Sequence, residues 1–180
     1  MTSIPLHAAL VHLPLGLAFV LPALAIGFTW ALWRGNLRPR SWLAIVLLQA
    51  ALFGAGLAAL KTGQHEEERV ESAVPKTALE THEALAEQFL WIAGITLAAG
   101  GIVLVLRRPR AVQVFTAVTV LGSLLTAGAA LRVGHAGGQL VYVHNAAATY
   151  ATTGKANAQA GSGAIQSPSA ESSAADKDDN

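Results

Sequence analysis

Four stretches of this 180-residue chain contain no charged residue, and they constrain its fold more than any other feature. They cover residues 1–33, 41–60, 88–106 and 111–131. A helix needs roughly 20 residues to cross a hydrocarbon core of about 30 Å, so each stretch is long enough to do so. A soluble helix of this length would show a polar stripe at helical period, and residues 18–26 show none. The sequence therefore predicts an all-α fold, an integral membrane four-helix bundle.

The predicted membrane domain covers residues 1–150, with helices at about 4–33, 41–61, 82–106 and 111–133. We expect the first helix to be retained, because its apolar run is longer than that of a secretion signal and no basic segment precedes it. After helix 4, residues 139–144 alternate in polarity and are predicted to form a short segment on the membrane surface. Residues 151–180 have almost no large apolar side chain, which predicts a disordered tail.

The loops of the predicted bundle differ in charge. The two loops that join helix 1 to helix 2 and helix 3 to helix 4 contain no acid and six arginines: Arg34, Arg38, Arg40, Arg107, Arg108 and Arg110. All 11 acidic residues lie in the other compartment. Because cytoplasmic loops are enriched in arginine and lysine, we expect both termini to be periplasmic in a bacterial inner membrane.

Composition limits the chemistry of any site. The formal net charge of +1 offers no basic surface for nucleic acid. The chain has no cysteine, and its one methionine is at position 1. These absences exclude disulfides, thiolate nucleophiles, iron–sulfur clusters and covalent c-type haem. A metal or cofactor site must therefore use histidine, carboxylate or backbone groups.

All six histidines lie on the predicted periplasmic side. They are His7 and His12 on helix 1, His65 in the loop before helix 3, His82 at the start of helix 3, and His135 and His144 after helix 4. Counting roughly 20 residues back from Trp33 puts His12 at the boundary of the hydrocarbon core. Neutral imidazole is a ligand for haem iron and for divalent metals, so these histidines are the candidate ligands.

Haem b is the cofactor that these residues favour, because it needs two axial imidazoles, an apolar slot and cations for its propionates. His12 and His82 form the first predicted axial pair, with His7 as the replacement for His12. Arg132 and Lys61 are the predicted propionate partners. The second predicted pair, or a second site, is His135 with His144. Four small residues are expected to make room for the macrocycle: Ala8, Gly54, Gly56 and Gly128. Such a protein would pass electrons between the quinone pool and a periplasmic cytochrome or other redox subunit.

Two alternatives remain open. A periplasmic divalent-metal site, for zinc or copper, would draw on His12, His82, His135 and His144 with Glu83 or Glu87, or on residues 65–68. Reduced copper is less favoured without Met or Cys. A structural subunit without cofactor would use its histidines only for caps and hydrogen bonds. No arrangement of a nucleophile with a base stands out, so we expect no independent enzymatic activity.

Two motifs resemble those of a known family. The segments LHAALVHLPLGL at residues 6–17 and GHAGGQLVYVH at residues 134–144 are similar to the opening and closing motifs of a bacterial membrane protein family, domain of unknown function 2231. Thr62, Gly63 and His82 match its middle positions. The resemblance covers about residues 4–145 and implies a four-helix inner-membrane protein, whose relatives sometimes accompany cytochrome-like modules. It carries over the histidines at 7, 12, 82, 135 and 144.

Overall fold

The computed structural model describes residues 10–70 and 74–144, and the side chains within these ranges except at positions 65–70. Four long helices make up most of this part of the chain: α1 (His12–Trp33), α2 (Leu43–Val70), α3 (Lys76–Val103) and α4 (Pro109–Tyr142). A 3₁₀ turn, Pro39–Trp42, leads into α2. The described residues form no β-strand. The all-α prediction is therefore confirmed.

Each of the four helices is long and apolar enough to cross a membrane. The candidate spans are His12–Trp33, Pro39–Gln64, Lys76–Val103 and Pro109–Tyr142. Large apolar side chains also face outward, such as Trp91, which is 74% exposed, and Ile95, which is 66% exposed. Lipid chains are as apolar as these groups, so their exposure is expected of helices in a bilayer. The chain is a multi-pass membrane protein.

The helices extend further than the charge-free stretches predict. α2 continues to Val70, and α3 begins at Lys76, directly after Pro75. At 1.5 Å per residue the 34 residues of α4 measure about 51 Å, which is longer than a hydrocarbon core. The prediction that helix 4 ends near residue 133 is wrong, because α4 stays helical to Tyr142. The location of residues 139–144 on the membrane surface stays a prediction. Glycine costs a helix only about 1 kcal/mol relative to alanine, and contacts with α3 offset that cost here.

The end of α1 shows how the chain turns sharply between spans. Gly35 has a φ of 73°, which is the left-handed conformation that glycine adopts without strain. Its N–H donates to the carbonyl of Leu32 at 3.0 Å, and the N–H of Asn36 donates to that of Ala31 at 2.9 Å. This pattern is a Schellman motif, which satisfies the last carbonyls of the helix. α1 therefore ends at Trp33 before the first arginine-rich loop.

The four helices contact one another in a ring, α1 with α2, α2 with α3, α3 with α4, and α4 with α1. Neighbours are antiparallel. Gly94 of α3 faces Phe53 of α2, whereas Gly100, further along α3, faces the earlier residue Gln49. α1 and α3 therefore begin at the end of the bundle where α2 and α4 finish, which we call the histidine end. The opposite end carries the turns at residues 34–38 and 104–108.

The interior of the bundle mixes apolar side chains with a row of hydroxyl groups on α4. The row alternates in steps of three and four residues and consists of Thr116, Thr119, Ser123 and Thr126, each at most 3% exposed. Every hydroxyl donates to a carbonyl of its own helix, as Thr119 does to Phe115 at 2.8 Å. These bonds satisfy the hydroxyl protons where no bulk water reaches.

Candidate functional site

The four histidines whose side chains are described lie at the histidine end, three of them within helices. His12 is the first residue of α1 and is exposed, and His82 lies half-buried in the second turn of α3. His135 is exposed on α4, within the helix and not at a C-cap. His144 is half-buried just beyond the end of α4. His7 and the side chain of His65 lie outside the described residues.

His82 contacts α4 through its ring. A methyl group built on Gly137 would lie 3.2 Å from Cε1 and 3.6 Å from Nδ1 of His82. The imidazole therefore lies against bare backbone, and a side chain at position 137 would displace the ring by a few tenths of an ångström. Gly138, the next residue, has nothing within 4 Å of its missing side chain among the described atoms. His82 thus covers the backbone of α4 at Gly137, whereas the backbone at Gly138 is uncovered.

The register between α1 and α4 brings His12 to the same level. Leu15 of α1 approaches Gly134 of α4, with 3.7 Å from Cδ2 to the position of a methyl group there. Because the two helices are antiparallel, moving three residues toward the histidine end on each leads from Leu15 to His12 and from Gly134 to Gly137. His12 and His82 therefore lie at the height of Gly137, on the two helices that flank α4.

The ring of His135 already has a neighbour. Nε2 of Gln139 lies 3.3 Å from Nε2 of His135, one turn apart on α4. An amide nitrogen can only donate, so the contact is a hydrogen bond in the tautomer that accepts at Nε2 and carries its proton on Nδ1. A metal bound at Nε2 would have to displace Gln139.

The two predicted propionate partners are exposed. Arg132 lies five residues before Gly137 on α4, about 7.5 Å closer to the middle of the bundle. Lys61 lies on α2, one turn before Gln64, whose Nε2 donates to Oε1 of Glu83 at 2.7 Å. This bond joins the last turns of α2 to the first turns of α3. Both cations therefore lie on the membrane side of the level of His82.

The described residues contain no group of three or more histidine, cysteine, aspartate or glutamate side chains close enough to hold a metal ion. Glu83 instead accepts the hydrogen bond from Gln64, and Glu87 is exposed. The zinc set predicted from His82 with either glutamate is thus not brought together in this part of the chain. The side chains of residues 65–68 lie outside it.

The interior of the bundle does not offer the slot that was expected for a macrocycle. Gly54 and Gly128 have open space around them, but both lie on the exposed face of their helices. Gly56 is covered by Phe89 and Leu90, whose nearest atoms lie 3.2 and 2.8 Å from its missing methyl group. The cavity at the bundle centre measures only about 10 Å³. A porphyrin therefore fits no described interior space, and the open glycine nearest the histidines is Gly138.

Sequence reasoning missed the most buried polar groups. Gln49 of α2 is 4% exposed, and the hydroxyl row of α4 faces it across the bundle. The row could have been found from its spacing of three and four residues, which places all of its members on one helix face. Gln49 is the only amide in the charge-free stretch 41–60, and such residues within a membrane usually have a specific role.

Comparison with known proteins agrees with the fold. No curated protein sequence and no solved structure matches the chain. The profile of a family described as predicted membrane protein, domain of unknown function 2231, matches residues 3–150. This match covers all of the described helices and both histidine motifs, and it confirms the resemblance. The chain belongs to this family of predicted membrane proteins.

Proposed function

We propose that the protein binds haem b at the histidine end and transfers electrons between the quinone pool and a periplasmic redox partner. The observation that carries the proposal is the shared level of His12 and His82 beside Gly137. Axial ligation of haem b needs two imidazoles from different elements, and these two belong to α1 and α3. The open space at Gly138 supports the proposal, because a planar group such as a porphyrin could lie against the backbone of α4 there.

In this proposal the haem lies at the mouth of the bundle, since the interior cavity is far too small. Bound haem iron supplies reversible one-electron transfer, with a potential set by its ligands and burial. His12 and His82 would hold the iron from two helices, and His7 is the alternative to His12. His135 and His144 provide a second pair or site. Arg132 and Lys61 neutralise the propionates.

The same proposal includes the orientation of the bundle and the kind of membrane that it spans. Residues 34–40 and 107–110, at the end opposite the histidines, include six arginines, and the N-terminal half of α3 carries Glu80, Glu83 and Glu87. The positive-inside rule then favours a periplasmic histidine end in a bacterial inner membrane. A quinone would reach the site from the bilayer, and a soluble cytochrome would reach it from the periplasm.

An absorbance spectrum of the full chain, purified from a haem-replete host, tests the proposal. We expect a Soret band and a pyridine haemochrome of the b type, and loss of the α band in His12→Ala and in His82→Ala. The matched control is His65→Ala, which removes a histidine outside the proposed ligand set and should leave the spectrum unchanged. A spectrum without a Soret band overturns the proposal.

Elemental analysis of the same sample separates the alternatives. Stoichiometric zinc or copper without iron would replace haem by a divalent-metal site, built from the same histidines and lost in His135→Ala. A sample without iron, zinc or copper would leave a structural subunit of a membrane complex. In that case replacing His12, His82, His135 and His144 together would leave the complex assembled.

A further inference from the structure

A small polar cavity lies at the centre of the bundle, away from the histidine end. Its volume is about 10 Å³, and each of the four helices contributes two side chains to its wall. Four of these side chains are apolar, and the other four are Gln49, Thr96, Ser123 and Thr126. All eight lie within candidate membrane spans.

Gln49 is the unusual member of the wall. Its side chain is 4% exposed, and neither Nε2 nor Oε1 has a hydrogen-bond partner among the described residues. Native proteins rarely leave a buried amide unpartnered, because the lost hydrogen bonds to water are not replaced. The penalty is larger inside a membrane, where the surroundings are apolar. Gln49 therefore needs a partner that can both accept from Nε2 and donate to an oxygen.

The hydroxyls of the wall define what that partner must do. Thr96 donates to the carbonyl of Ile92 at 2.7 Å, while Ser123 and Thr126 donate to carbonyls of their own helix at 2.8 Å. Their protons are thus committed, and each oxygen still has lone pairs that can accept. On α3 and α4 the wall therefore offers hydroxyl oxygens that can accept hydrogen bonds. On α2 it offers the donor Nε2 and the acceptor Oε1 of Gln49.

We propose that this cavity binds a single water molecule, which accepts from Nε2 of Gln49 and donates its two protons to two of the three hydroxyl oxygens of Ser123, Thr126 and Thr96. A volume of about 10 Å³ is the space that one water molecule requires. Water accepts from Nε2 and donates to the hydroxyl oxygens, so it uses both kinds of group. A monovalent cation would use only the oxygens and leave the Nε2 donors unpartnered.

The bound water fixes how α2 packs against its neighbours. Gly100 of α3 supports this role, because a methyl group there would lie 2.8 Å from Oε1 of Gln49. The close approach holds the amide at one height in the bundle. Sliding α2 along α3 would move Gln49 away from the hydroxyls and into apolar surroundings, so the water site selects one register of the helices.

A crystal structure of the full chain, grown in a lipid phase at a resolution that shows ordered water, tests the site directly. We expect one density peak within hydrogen-bond distance of Nε2 of Gln49 and of at least one hydroxyl oxygen. Crystals soaked in rubidium chloride then test whether a monovalent cation occupies the cavity instead of water. An empty cavity, or an anomalous rubidium signal at the peak, overturns the proposal.

Thermal unfolding provides an independent measurement. Ser123→Val fills the cavity and expels the water, so Gln49 loses its partner and Tm falls by at least about 2 °C. The same substitution in a Gln49→Leu background has no amide to leave unpartnered, and the fall should disappear. Thr116→Val is the control, because Thr116 belongs to the hydroxyl row but does not line the cavity, so it should act equally in both backgrounds. A rise of Tm in Ser123→Val would mean that a dry cavity had been filled.

Discussion

His82 of α3 lies against the backbone of Gly137 of α4, so that a methyl group at position 137 would be 3.2 Å from its Cε1. Glycine lowers the stability of α4, and the half-buried imidazole of His82 needs space between α3 and its neighbour. Together they allow α3 and α4 to approach closely at the histidine end. This contact links a predicted site histidine to another helix.

The first prediction concerns that contact. Gly137→Ala adds a methyl group against the ring of His82, whereas Gly138→Ala adds one in open space. Alanine stabilises both helix positions by about 1 kcal/mol, so the difference between the two variants isolates the contact. We expect Gly137→Ala to have the lower Tm and to shift the NMR signals of the His82 ring. Equal Tm values with an unshifted ring would show that His82 does not lie on Gly137.

A second prediction concerns the middle of the same helix pair. Gly122 of α4 faces the side chain of Thr96, and an added methyl group would overlap Oγ1. Overpacking of this kind costs about 1–3 kcal/mol. Gly128, six residues further along α4, has nothing within 4 Å and is the matched control. Thermal unfolding in detergent should show a lower Tm for Gly122→Ala and no fall for Gly128→Ala. The contact is not as described if both variants behave alike.

Trp42 supports a third prediction. It is fully buried, and its Nε1 donates to the carbonyl of Gly100 at 3.1 Å. Trp42→Phe removes this bond and leaves a void, so we expect a loss of at least about 1 kcal/mol in the free energy of unfolding. Trp30→Phe is the control, because Trp30 is 57% exposed and only stacks on Arg34 at 5.2 Å. Urea titration in mixed micelles compares the two, and a larger loss in the control would contradict the packing of Trp42.

The four spans could be predicted because absence of charge over twenty residues has few explanations other than a membrane. The end of α4 could not be predicted in this way, because glycine has a low helix propensity. The contact of Gly137 with His82, which outweighs that propensity, depends on tertiary packing. Counting residues back from Trp33 predicts the height of His12, whereas the shared level of His12 and His82 follows from the contacts of Leu15 and His82 with α4. Their contacts depend on how each helix is rotated about its axis, and apolar runs without a polar stripe leave that rotation undefined. Gln49 stands out in the sequence as the only amide of residues 41–60, but its burial depends on the rotation of α2.

The last prediction tests the orientation on which the proposed periplasmic partner depends. Because the chain has no cysteine, Asn36→Cys and Val143→Cys each introduce one thiol, at opposite ends of the bundle. Asn36 lies between Arg34 and Arg38, whose positive charge favours retention on the cytoplasmic side. In intact cells we expect a membrane-impermeant maleimide to label Val143→Cys at once and Asn36→Cys only after permeabilisation. Both positions are exposed, so access to the thiol does not limit labelling. Labelling of Asn36→Cys in intact cells would reverse the orientation and place the histidine end, with any electron acceptor, in the cytoplasm.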